Sequence, residues 1–168
     1  MRNESTCALG CTEETVKRNE GKMLRAAIAI MGGRADAEDV VQDVFVKLFE
    51  KLPQFESPEH ETAWLIRVTV NLCKTRLRSH WRKLTVPLLD IYPAKTDEQP
   101  ELAGAVFSLP PKYRTAIHLF YYEGYSAKEI ADITDQKESA VRKQLSRARL
   151  MLKEHLEGEQ QCKAILTT

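Results

Sequence analysis

The sequence predicts an all-α protein: two small helical domains joined by a flexible linker, the second containing a helix-turn-helix. Three observations predict it. Apolar residues recur at helical period through most of the 168 residues, and no segment alternates as a half-buried strand would. A stretch rich in proline and charge, at residues 84–98, interrupts that period. Beyond it, Ser126 and Glu129 stand in the Ser-x-x-Glu spacing of a capping box, just after a Gly124-Tyr125 break.

The first helix is expected over residues 13–31, ended by Gly32-Gly33, a pair that permits left-handed backbone. Asp36 is then placed to cap a second helix, with Asp39 three residues on. In that helix Val40, Val41, Val44, Phe45, Leu48, Phe49 and Leu52 form a wide apolar stripe. Asp39, Gln42, Asp43, Lys47 and Glu50 stay outside it, and Pro53 stops the helix. A short loop leads to a third helix at 59–83, where Ala63, Trp64, Ile66, Val70, Cys73 and Leu77 are the apolar positions. Trp64 reads as core, because tryptophan within an apolar stripe is more often packed than exposed. Trp81, among charges, is the better candidate for exposure.

After the linker come a helix at 101–107 and a break at Leu109-Pro110-Pro111. A further helix runs to Glu123, with Pro111 in the first turn, where its missing N–H costs nothing. The capped helix at 127–133 and a longer one at 138–156 complete the helix-turn-helix. Ala131 is small where the two cross, and Ile130, Ile133, Val141 and Leu145 fill the space between them. The domains are thus 12–83 and 99–157, on either side of the linker at 84–98.

Composition excludes several classes. At 43% hydrophobic the chain can fill one medium core or two small ones. The segment MRNESTCALGCTEE lacks a signal-peptide core, and the longest apolar run, at 26–31, is too short to span a bilayer. A cytoplasmic protein is expected. Cys7, Cys11, Cys73 and Cys162 are scattered, with no nearby Cys/His pair to complete a tetrahedral set, so reduced thiols and no metal are expected. His60, His80, His118 and His155 are dispersed, and neither a nucleophile-base pair nor a glycine loop for phosphate occurs. No catalytic residue and no cofactor is expected.

The charge signal lies in distribution, since the formal net charge is only +1. Arg67, Lys74, Arg76, Arg78, Arg82 and Lys83 occur with no acid among them; Lys137, Arg142, Lys143, Arg147, Arg149 and Lys153 face only Glu138. Such local patches bind phosphate by releasing condensed counterions whatever the total charge. Asp36, Glu38, Asp39, Asp43 and Glu50 make an opposite, acidic stretch. A solvated basic helix is the bland reading of either patch alone. Two patches, one on a helix-turn-helix, favour duplex DNA held at two places. The last helix presents Ser139, Arg142, Lys143 and Arg147 as a recognition helix would, base edges first and phosphates later.

Three stretches together resemble a sigma-70-family RNA polymerase sigma factor of the compact extracytoplasmic-function kind. They are RADAEDVVQDVFVKLFEKLPQF at 34–55, AWLIRVTVNLCKTRLRSHWRK at 63–83, and LPPKYR, YYEGYSAKEIA and AVRKQLSRAR within 109–149. The resemblance implies that Glu38, Asp39, Gln42 and Asp43 meet core polymerase, whose clamp helices on the largest subunit and whose flap are the expected docking places. It implies that Arg67, Asn71, Lys74, Arg76 and Arg78 serve the −10 promoter element, with the loop 55–60 lining a pocket for an extruded base. Ser139, Arg142, Lys143, Arg147 and Arg149 would serve the −35 element. An anti-sigma factor, often membrane-anchored in such systems, is a further implied partner. The family usually has glycine and an aliphatic residue after the position of Ile133, where Asp135-Gln136 stands here. It often has phenylalanine near the position of Glu61. The alternative function is a free-standing helix-turn-helix regulator, which leaves the acidic helix and the first basic helix unexplained.

Overall fold

The computed structural model describes residues 4–51, 53–80 and 100–166. These form α1 (Glu4–Met31), α2 (Arg34–Lys51), α3 (Pro58–His80), α4 (Pro100–Ser108), α5 (Pro111–Ile117), α6 (Ala127–Thr134) and α7 (Glu138–Leu166). The linker expected at 84–98 and Trp81 lie outside the described residues. Among the described residues no strand occurs, and no helix is long and apolar enough to cross a membrane.

Several boundaries differ from the sequence reading. α1 begins at Glu4 rather than near residue 13, and α7 runs on to Leu166. α2 begins at Arg34, since the Ala37 amide already donates to the Gly33 carbonyl at 3.3 Å. Asp36 therefore lies inside the first turn, where its charge suits the helix N-terminus, and does not cap from outside. The apolar stripe of α2 is narrower than expected: Val40, Val41, Val44 and Leu48 are buried, Phe45 partly so, and Phe49 stays half exposed.

The helix after α5 also departs from α geometry. Residues His118–Tyr122 form a π-helical turn, closed by the Glu123 amide donating to the His118 carbonyl at 3.2 Å. The wider turn buries His118 and Leu119 while leaving Tyr121 and Tyr122 exposed. Two glycines carry positive φ where reversals require it, Gly32 at 79° and Gly124 at 76°.

α1 packs against α2 and α3, and α7 against α4, α5 and α6. The two sets share one core. Val40, Val44, Leu65 and Val70 connect through Met23 and Ile30 to Leu109, Ile117, Leu119, Ile130 and Val141. α1 also touches α5, and α3 touches α6, so apolar contact joins the halves directly. Arg114 of α5 is buried at this junction. It donates to the Ala29 carbonyl, to that of Ile30 at 3.3 Å and to that of Phe107 at 2.7 Å. A guanidinium from the second half thereby satisfies carbonyls at the C-terminal end of α1, which helical bonding leaves open.

Candidate nucleic-acid interface

On α3, Arg67, Asn71, Lys74 and Arg78 follow spacings of four, three and four, which puts them on one face. Arg67, Asn71 and Arg78 are exposed and Lys74 is partly buried. Arg76 departs from this set. It turns toward α2, where Nη2 lies 2.5 Å from Asp43 Oδ2 and Nη1 lies 3.9 Å from Asp39 Oδ2. Two residues beyond Lys74 on a helix is about 200° of rotation, so the structure brings together four of the five expected −10 residues and sends the fifth to the acidic helix.

Lys74 faces the second half. Its Nζ donates to the Thr134 carbonyl at 2.5 Å, at the C-terminal end of α6. Burial pushes its pKa below the ordinary lysine value; Asp135 attracts the ammonium in opposition, and Arg78 repels it. The negative end of a helix is a favourable place for such a cation. A groove of about 810 Å³ opens beside this contact, with Asn71, Lys74 and Arg78 on one wall and Lys112, Asp135 and Gln136 on the other.

Asn71 also borders a smaller cavity of about 210 Å³ between α2 and α3, shared with Lys47, Lys51, Trp64 and Thr75. The lining comes from the two helices rather than from the loop at 55–60. Phe55 of that loop instead packs on Trp64, ring centroids 5.6 Å apart, and on His60 at 5.8 Å. Trp64 is half core and half cavity wall. Near the position where an aromatic residue was expected, Glu61 accepts from Thr15 at 2.9 Å, Arg18 at 2.9 Å and Asn19 at 3.0 Å, a polar clasp between α1 and α3.

The helix-turn-helix forms as its sequence requires. The Ser126 hydroxyl accepts from the Glu129 amide at 3.3 Å, and the Ser126 amide donates to Glu129 Oε2 at 2.8 Å. Hydrogen bonds from the Ser126 side chain and then its backbone hold the Glu129 carboxyl below its ordinary pKa. Ile130, Ala131, Ile133, Val141 and Leu145 are buried between the helices. The turn uses Asp135 in the left-handed conformation, φ 54° and ψ 55°. Gln136 needs no apolar gap: it is exposed and accepts from Gln144 at 2.6 Å.

Ser139, Arg142, Lys143, Arg147 and Arg149 are all exposed on α7. Arg142 is paired with Glu138 at 2.6 Å, one turn away. Arg147 and Lys112 beside the Tyr113 phenol hold its pKa below the ordinary tyrosine value. Arg149 lies against the π-turn instead, its Nε 2.8 Å from the Tyr121 hydroxyl and its guanidinium 5.7 Å from the Phe120 and Tyr121 ring centroids. On α2, Glu38, Asp39, Gln42 and Asp43 are exposed, next to the exposed apolar Val46 and Phe49.

Sequence reasoning missed a second junction cluster. Glu123, its side chain only 4% exposed, receives Arg25 Nη2 at 3.1 Å and lies 3.4 Å from His118 Nε2. Burial raises the Glu123 pKa, but the neighbouring His118 ring and the charge of Arg25 outweigh it, and the net shift is downward. The signal for Arg114 was present, since it sits three residues before Ile117 on a core-facing stripe. The one for His118 was not, because only the π-turn brings it beside Glu123. Cys73 is buried, which pushes its thiol up to about 12, out of reach of thiolate chemistry at neutral pH. Among the described residues no group of His, Cys, Asp and Glu is arranged to hold a metal.

Known proteins share this pattern. Residues 15–83 match the model of Sigma-70 region 2, and residues 101–152 match that of Sigma-70, region 4. The chain is 29% identical over 162 residues to the ECF RNA polymerase sigma factor SigE of Mycolicibacterium smegmatis, covering 89% of this chain but only 63% of that protein. It thus spans less than two thirds of that relative. To the ECF RNA polymerase sigma factor SigM of Mycobacterium tuberculosis it is 30% identical over 145 residues, covering 83% of this chain and 74% of the relative. The fold is similar to that of the sigma factor RpoE in a co-crystal structure with the anti-sigma factor NepR from Bartonella quintana. There the TM-score is 0.73 at 25% identity, over 86% of this chain and 96% of that one.

Proposed function

Because the chain belongs to the sigma-70 family, in its extracytoplasmic-function branch, we propose that it binds core RNA polymerase, directs it to particular promoters and assists their melting. Residues 12–83 are the polymerase-docking and −10-reading domain, 84–98 the linker, and 99–157 the −35-reading domain. The observation that carries this reading is the presence of two cationic faces on separate domains. One is Arg67-Asn71-Lys74-Arg78 on α3 and the other Ser139-Arg142-Lys143-Arg147 on α7.

Docking falls to Glu38, Asp39, Gln42 and Asp43, an acidic rim suited to a basic partner surface, with Val46 and Phe49 adding apolar area beside it. The cavity shared by Asn71, Trp64, Lys47 and Lys51 takes a base extruded from the −10 element. Recognition is the chain's part, and the polymerase performs the chemistry. An inhibitory anti-sigma partner acts by holding the domains in an arrangement that keeps α3 from DNA. In the present arrangement Lys74 is engaged at the end of α6, so the domains must part before α3 reaches a phosphate backbone with its whole face.

Run-off transcription with purified core polymerase and genomic fragments tests the proposal. A promoter-specific transcript is expected only when chain and core are combined. Absence of any such transcript, with the same core active under another sigma factor, defeats it. A gel shift by the chain alone at low concentration and a specific site would mark a free-standing regulator instead.

A further inference from the structure

Arg76 and the two carboxylates that hold it belong to different surfaces in the proposed function. Asp39 and Asp43 lie one turn apart on α2, half exposed or more, among the residues assigned to the polymerase. Arg76 is the cation of the −10 set that points away from its companions and onto that rim. Its side chain is 29% exposed, and the guanidinium takes Asp43 at 2.5 Å and approaches Asp39 at 3.9 Å. A carboxylate engaged by a guanidinium has lost much of its attraction for another cation. A basic surface docking on Asp43 therefore competes with Arg76 for the same oxygen atoms.

From this juxtaposition we propose that Arg76 is an interlock: α2 stores its charge in the unbound chain, and polymerase docking on Asp39 and Asp43 releases it to a promoter phosphate. The inference rests on the functional reading above and adds a physical link between its two binding events. By thermodynamic reciprocity, DNA that draws Arg76 away leaves Asp43 more open to the polymerase. The exchange costs little, because each half of it swaps one charge-assisted contact for another. Arg76 stands on the helix that carries the cationic face, about 200° of rotation from Arg78 and on the side that meets α2. Arg76 acts here as a positioning residue until it is released.

Fluorescence anisotropy of the full chain with a labelled, mixed-sequence single-stranded DNA oligonucleotide tests the interlock without polymerase. Asp43→Asn is expected to tighten binding by about 2–5-fold, the range of an exposed ion pair. The gain should vanish in an Arg76→Gln background, and Glu50→Gln, which removes an exposed acid elsewhere on α2, should give much less. The salt dependence gives a second readout that a purely structural clip would not move. Arg76→Gln should flatten the slope of log affinity against log salt by about 0.7 when combined with Asp43→Asn, and hardly change it alone. Equal gains from Asp43→Asn with and without Arg76, or from Glu50→Gln, reduce the effect to bulk charge and overturn the interlock. Failure of the run-off assay would instead remove the sigma-factor reading, while the oligonucleotide result would still report the Asp43–Arg76 exchange.

Discussion

Arg114 donates from the second domain to the carbonyl of Ala29 in the first, 85 residues earlier in the chain. Its guanidinium is received by the carbonyls of Ala29, Ile30 and Phe107. Such an arrangement ties the domains by satisfying the open end of α1. Gly32 turns the chain beside this contact at φ 79°, a left-handed conformation that glycine adopts without strain.

Replacement of Arg114 by methionine keeps most of the apolar stem and removes every donor. The carbonyls it served are then left buried without their partner, at a cost of about 2–4 kcal/mol. Urea denaturation should report that loss, and small-angle scattering should report a larger radius of gyration as the domains separate. An unchanged radius together with unchanged stability would show that apolar contact alone holds the junction.

Asp135 carries a positive φ that glycine adopts without strain, and its charge sits at the unfavourable end of α6. Asp135→Gly is expected to stabilise the second domain by about 0.5–1 kcal/mol. The lost attraction for Lys74 opposes part of this gain. A chemical-denaturation midpoint that falls would show that the Lys74 contact outweighs backbone strain.

Glu123 gives the junction a dependence on acid. Its folded pKa lies below the reference value of 4.5, so its contribution is fully present above that value. That contribution is lost as pH falls from about 4.5 through the folded pKa, because the unfolded chain takes up the proton first. Stability measured against pH should therefore decline less steeply on the acid side in Glu123→Gln than in the parent. Parallel profiles for the two proteins would place the acid sensitivity elsewhere.

Arg142 is the side chain whose loss should reveal base reading. It is 71% exposed on α7 and restrained by Glu138. In the proposed function, Arg142→Ala weakens binding to the −35 element by about 1–3 kcal/mol, unevenly across base substitutions. Binding assays of the holoenzyme on a set of −35 variants distinguish the cases, since a uniform loss means a phosphate contact.

Local chemistry made the second domain the most legible part of the chain. Ser126 and Glu129 needed only each other to define the start of α6, and Ile130, Ala131, Val141 and Leu145 declared their packing by spacing alone. Of the five residues expected together on α3, residues 67, 71, 74 and 78 share a face because they follow the turns of one helix, whereas Arg76 lies off it and meets Asp43. The expected stripe on α2 was too wide because periodicity says which residues share a face, not how much of it a partner covers. Phe49 was assigned to the stripe and stays half exposed.

By itself the sequence determined the helical class, the capped helix-turn-helix and the two basic faces, which rest on residues within a few turns of each other, and the family resemblance, which rests on the order of three such stretches. Tertiary structure decided that Lys74 meets Thr134, that Arg76 turns to Asp43 and that Glu123 meets Arg25, pairs 60, 33 and 98 residues apart. Helical period fixes the direction of a side chain about its own axis. Which charge waits in that direction depends on how the helices cross, and that is set by the packing of the shared core.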